Sequence, residues 1–164
     1  MEKVIAVGVG QYVGNSGGSV VVAEIKSEIP KMSFITKHIS ITINKPVNEV
    51  YQFIVNAENL SKWATGLGGS SIRKINEEWI ADSPMGLIKI KFADKNEFGV
   101  LDHTITLPNS SKFYVPMRVV SNDGASELIF TSFKLTDMSA EQFENDNNIV
   151  KADLEKLKEI LENG

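Results

Sequence analysis

The chain contains no cysteine, which excludes disulfides, thiolate zinc sites, iron–sulfur clusters and cysteine nucleophiles. A disulfide-free chain suits a reducing compartment such as the cytoplasm. Histidine is scarce as well: His38 and His103 are the only two. With no paired acidic motif or EF-hand loop beside them, no metal is expected. No Walker loop or kinase signature occurs, and no cofactor is expected. No apolar run approaches the roughly 20 residues that span a bilayer. The N-terminal residues lack the charged, apolar and small-residue pattern of a cleaved signal. Lysine and arginine are scattered and the net charge is −4, so no basic footprint for nucleic acid or an anionic membrane is present.

What the 164 residues do hold is enough apolar material, 42% of the chain, for a core and an enclosed pocket. Residues 1–33 form an extension with two β-prone runs, 4–7 and 19–25, around a glycine-rich stretch. A strand followed by glycines brings a dinucleotide fingerprint to mind, but that site needs a helix next, and a second β-branched run follows instead. The reading is a β-hairpin or arm, and such an arm offers a route to a homodimer.

From residue 34 the pattern becomes regular. Ile35, Ile39, Ile41 and Ile43 alternate with His38, Ser40 and Thr42, which predicts a half-buried strand over 34–44. Pro46 suits a helix first turn, and Val47, Val50, Tyr51 and Ile54 follow at helical spacing. A second short helix is expected over 57–64, capped by Asn56. Strands are then expected at 71–75, 78–82, 87–92, 100–107, 113–120 and 127–135. Asp123-Gly124 predicts a type I′ hairpin. The last element is a long amphipathic helix. Ser139 and Gln142 make a capping box, and Phe143, Val150, Leu154, Leu157 and Leu161 make the apolar stripe. The fold class is α+β: a curved antiparallel sheet wrapped around a long C-terminal helix, with two short helices after the first strand.

This layout resembles the START/Bet v 1-like (SRPBCC) superfamily, in particular its bacterial polyketide cyclase/dehydrase-like branch. The resemblance is carried by ITINKPVNEVY at 41–51, NAENLSKW at 56–63, NEFGVLDH at 96–103 and VPMRVV at 115–120, continuing through Phe130 and Thr131 into the last helix. It covers about residues 34–162 and leaves 1–33 unexplained. The resemblance implies a helix-grip fold with a cavity between sheet and helix that takes hydrophobic molecules. It implies a cavity more firmly than any reaction.

Strand alternation sorts the candidate site residues. Val119 should pair with Leu128 across the Asp123-Gly124 turn. That puts Phe113, Val115 and Met117 on one inner face with Phe130 and Ser132, and turns Arg118 outward. His103 belongs with Leu101 and Ile105 on the inner face, so its neighbour Asp102 should project to the other side. A partner for His103 would then come from elsewhere, with Asn147, which interrupts the apolar helix stripe, or Asp146 as candidates. His103 is the candidate catalytic acid or base and the candidate polar ligand contact. The other expected ligand contacts are Trp79, Met117, Phe130, Ser132, Phe143 and Asn147. Trp63 reads as ordinary packing. The leading expectation is a binding protein for a small hydrophobic or amphipathic molecule. The rivals are a cyclase, dehydratase or isomerase using His103, and an interaction module acting through the extension.

Overall fold

A computed structural model describes residues 33–83 and 86–164. The expected N-terminal hairpin and any dimer through it lie outside the described residues. The described residues open with β1 (Ile35–Ile43), whose inner positions grow more buried toward Ile43. Helix α1 (Val47–Val55) follows directly after Pro46 and buries Val50, Tyr51 and Ile54. The second helical segment starts as a 3-10 turn, Ala57–Asn59, in which Asn56 Oδ1 accepts from Glu58 N–H as the cap requires. It becomes α2 (Leu60–Trp63) and then a further 3-10 turn, Thr65–Leu67.

Seven strands come next: β2 (Ser71–Ile75), β3 (Glu78–Ser83), β4 (Gly86–Phe92), β5 (His103–Thr106), β6 (Lys112–Val115), β7 (Met117–Asn122) and β8 (Ala125–Lys134). Helix α3 (Ala140–Asn163) closes the chain. At its start the Ser139 side chain accepts from Gln142 N–H, and the Gln142 side chain accepts from Ser139 N–H.

The single curved sheet expected from the sequence is divided in two. One sheet has the order β1-β8-β7 and the other β2-β3-β4-β5-β6, all antiparallel. The division falls at Pro116, inside what reads as one strand over 113–120. Proline has no N–H for the ladder, so β6 ends and β7 begins on either side of it. Pro116 still accepts, from Thr131 N–H at 3.0 Å. The two sheets are joined by the segment before β5: Leu101 N–H donates to Met117 O and Val119 N–H to Gly99 O, both at 2.9 Å. Together they make a bent, open surface, the helix-grip architecture.

Register follows the expected faces. Val119 stands opposite Leu128 and Met117 opposite Phe130. His103 stands opposite Val115, and Ile105 opposite Phe113, across an odd-length connection that places Ser110 in the left-handed region (φ 67°). The β7–β8 hairpin has the expected two-residue loop, with Asp123 at a positive φ of 55°. Between the bent surface and α3 lies the core, with Ile43, Val50, Ile54, Leu101, Leu128, Leu154 and Leu157 fully buried.

Candidate functional site

The core does not fill all the space under α3. A cavity of about 140 Å3 remains. Its floor is the inner sheet face, with Ile90 from β4, His103 and Ile105 from β5, Val115, Met117 and Phe130. Val150, Asp153 and Leu154 of α3 form one side. Leu60 and Trp63 of α2, with Ala64 and Leu67 just beyond, form the other.

His103 is the polar group on the floor. It is 8% exposed. Nδ1 lies 3.0 Å from the Leu101 carbonyl oxygen. A carbonyl only accepts, so Nδ1 carries the proton and Nε2 of the neutral ring is left as a lone-pair acceptor. No described side chain takes that nitrogen. Burial pushes the His103 pKa below the ordinary histidine value, and the Leu101 hydrogen bond and the nearby Asp102 charge only partly oppose it. The ring is therefore neutral at neutral pH. It packs against Phe92, its direct partner across β4–β5, with ring centroids 4.9 Å apart.

Asp102 is on the outer face, as alternation requires. It accepts from the Tyr114 hydroxyl, from Arg118 Nη1 and, at 2.9 Å, from Met117 N–H. Burial raises its pKa, but those three hydrogen bonds and the Arg118 charge together outweigh burial and hold the carboxyl below its ordinary value. The cluster ties the segment before β5 to β6 and β7 across the Pro116 bend.

Asp153 is the other polar group on the wall, and it is already engaged. Both carboxylate oxygens lie 3.1 Å from Thr65 N–H, and the Thr65 hydroxyl donates to Oδ1. Asp153 thus pins the second 3-10 turn, and with it Leu67, against α3.

Of the expected ligand contacts, the structure brings His103, Met117 and Phe130 together around this cavity. Trp79 opens onto a different recess, which it shares with Gln52, Val55 and Phe92. Ser132 sits farther along β8, opposite Lys37 of β1. Phe143 and Asn147 are buried on α3, N-terminal to the cavity wall. Asn147 is not the partner of His103. It is 2% exposed, and among the described residues neither end of its amide meets a partner. His38 is on the outer side of its sheet, its Nδ1 3.1 Å from the Thr131 hydroxyl.

Trp63 packs in the core as read, and its indole also borders the cavity, with Nε1 buried and without a partner among the described residues. One wall residue was missed by the sequence reading. Asp153 drew no attention among the many acids of α3. Its signal was its place, three residues after Val150 and four before Leu157, at the margin of the apolar stripe. Among the described residues no cluster of His, Asp or Glu is arranged to hold a metal ion. Among them, too, no helix is long and apolar enough to cross a membrane.

No protein-family model matches the chain. No curated protein sequence matches it either. Solved structures do. A START superfamily protein from Mycobacterium smegmatis superimposes with a TM-score of 0.62 at 10% identity, over 78% of this chain and 97% of that one. A conserved protein from Geobacillus kaustophilus gives 0.60 at 15% identity, over 79% and 96%. Ara h 8.0201, a Bet v 1-like protein, gives 0.56 at 13% identity, over 79% and 99%. At such identities the likeness concerns the fold alone. The chain has the helix-grip fold of START and Bet v 1-like proteins.

Proposed function

We propose that the protein binds a small, mostly apolar molecule in the cavity that α2 and α3 close against the sheets. The observation that carries this reading is the lining. It is aliphatic and aromatic apart from His103 and Asp153, and among the described residues one acceptor nitrogen of His103 has no partner. Apolar burial supplies affinity at about 25 cal/mol per Å2, and a few polar groups orient the guest. The START/Bet v 1-like resemblance points the same way.

Acid–base catalysis is the weaker reading. It calls for a second polar group converging on His103. Among the described residues the ring bonds only to the Leu101 carbonyl two residues before it, Asp102 faces the opposite side, and Asp153 is engaged by Thr65.

Thermal melting with toluene tests the proposal. A guest that binds only the folded state raises the melting temperature with concentration. Toluene should stabilise the full-length protein, and Val150→Phe, which places a ring in the cavity, should abolish the effect. A wild-type melting temperature that ignores toluene would overturn the proposal.

A further inference from the structure

The cavity's size and polar inventory specify what it accepts. Ligand pockets for drug-sized molecules run from roughly 300 to 1,000 Å3. This one, at about 140 Å3, is far smaller. It is close to the cavity of about 150 Å3 that holds a single benzene in an engineered protein interior. A steroid or polyketide skeleton does not fit without moving α2 or α3. A single substituted ring does.

Charge narrows the class further. Among the described residues, no lysine or arginine lines the cavity. His103 is held neutral, and its one proton is committed to Leu101 O. The charged group present is the Asp153 carboxylate. A guest carboxylate would lose its hydration, meet no cation and face a like charge, which is a prohibitive combination at this burial. A guest amine finds Asp153 already accepting from the Thr65 amide and hydroxyl. Trp63 Nε1, the other polar atom on the wall, is fully buried in the packing and presents no surface to the space. What the site offers is an acceptor, Nε2 of His103, on an apolar floor.

We infer that the guest is a neutral molecule of single-ring size carrying one hydroxyl, which it donates to Nε2 of His103. This rests on the binding reading above and adds the chemical class. The aliphatic lining holds the ring, and the lone acceptor sets its orientation and selects a hydroxyl over an acid.

The test compares phenol, toluene, benzoate and benzylamine by calorimetry at neutral pH. The full-length protein and its His103→Leu and His103→Gln variants are titrated. Phenol and toluene have nearly the same shape and differ in the hydroxyl. His103→Leu should weaken phenol about tenfold, the worth of one hydrogen bond, and leave toluene within about twofold. Gln, whose side-chain oxygen can accept near the place of Nε2, should recover most of the phenol affinity. In the unmutated protein the Nε2 15N resonance should move with phenol and stay still with toluene. That reading decides even where the Leu variant fails to fold.

Three outcomes overturn the inference. If toluene binds but phenol neither moves the Nε2 resonance nor senses the His103 substitutions, the hydroxyl–histidine contact is wrong while the cavity reading stands. If benzoate or benzylamine binds as tightly as phenol, the neutral class is wrong. If toluene and phenol both fail to bind, the cavity reading itself falls and takes the inference with it.

Discussion

Asp102 and His103 are consecutive in the chain and serve opposite faces of the sheet. Asp102 looks outward and gathers Tyr114, Arg118 and the Met117 amide, while His103 looks inward onto the cavity. Two consecutive titratable residues are thus split into a structural tie and a candidate ligand contact. Each has its own pH signature.

For His103 the folded pKa lies below the unfolded one, because burial disfavours the imidazolium. The unfolded chain then binds the proton first as pH falls, so stability is lost downward from about 6.5, the ordinary histidine value. Equilibrium urea unfolding between pH 5 and 7.5 should show stability rising with pH. His103→Gln should flatten that slope. An unchanged slope in the variant would contradict the burial of a neutral ring.

For Asp102 the folded pKa is also depressed, here by hydrogen bonds and the Arg118 charge that together outweigh burial. Its contribution is therefore present above about 3.9, the ordinary aspartate value, and is lost as pH falls through the folded pKa. Asp102→Asn should cost about 1.5–3 kcal/mol at neutral pH, the range for hydrogen bonds to a charged group. It should also shift acid unfolding, measured by circular dichroism, toward higher pH. Toluene affinity should be preserved, because the residue faces away from the cavity.

Asp153 holds the turn that completes the cavity wall. Asp153→Ala removes the acceptor for the Thr65 amide and hydroxyl, a loss comparable to removing a helix cap, about 1 kcal/mol. Amide hydrogen exchange should accelerate at Thr65–Leu67 while the centre of α1 stays protected. Release of a bound probe should speed up in parallel.

Gly99 is held at φ +68°, and a Cβ there would stand 1.9 Å from the Val119 carbonyl oxygen. That contact involves backbone on both sides, at the junction where 99–101 joins β7. Gly99→Ala should therefore destabilise the protein by more than about 3 kcal/mol in chemical denaturation, through steric strain at a positive φ.

Asn147 gives a change in the opposite direction. Its amide is buried and finds no partner among the described residues. Leucine has nearly the same volume and nothing to leave unsatisfied, so Asn147→Leu should stabilise the fold by about 1–3 kcal/mol. Thermal and urea unfolding measure it directly.

The order of elements, the cap of α3 and the two faces of β7 and β8 were legible in the sequence, because each is written in local periodicity or in one turn. Asp102 and His103 were sorted correctly by the same rule. Pro116 was equally visible, but that it would divide the sheet depended on which neighbours paired beside it. The cavity wall was harder. Trp63 and Asp153 meet it only because α2 and the Thr65 turn fold back onto α3, a tertiary event with no period in the chain. Asn147 interrupts the apolar stripe as read, yet its level along α3 keeps it away from His103. Trp79 shares a sheet with Ile90 but opens onto another recess.

The central claim is that a guest enters between the sheets and α3 beside His103. Methyl-resolved NMR of the full-length protein titrated with benzene tests it most directly. The account predicts saturable shifts at the methyls of Ile105, Val115, Met117, Val150 and Leu154, with Val120 and Ile149 on the surface unmoved. Shifts confined to surface methyls, or no saturable shift at all, would contradict it.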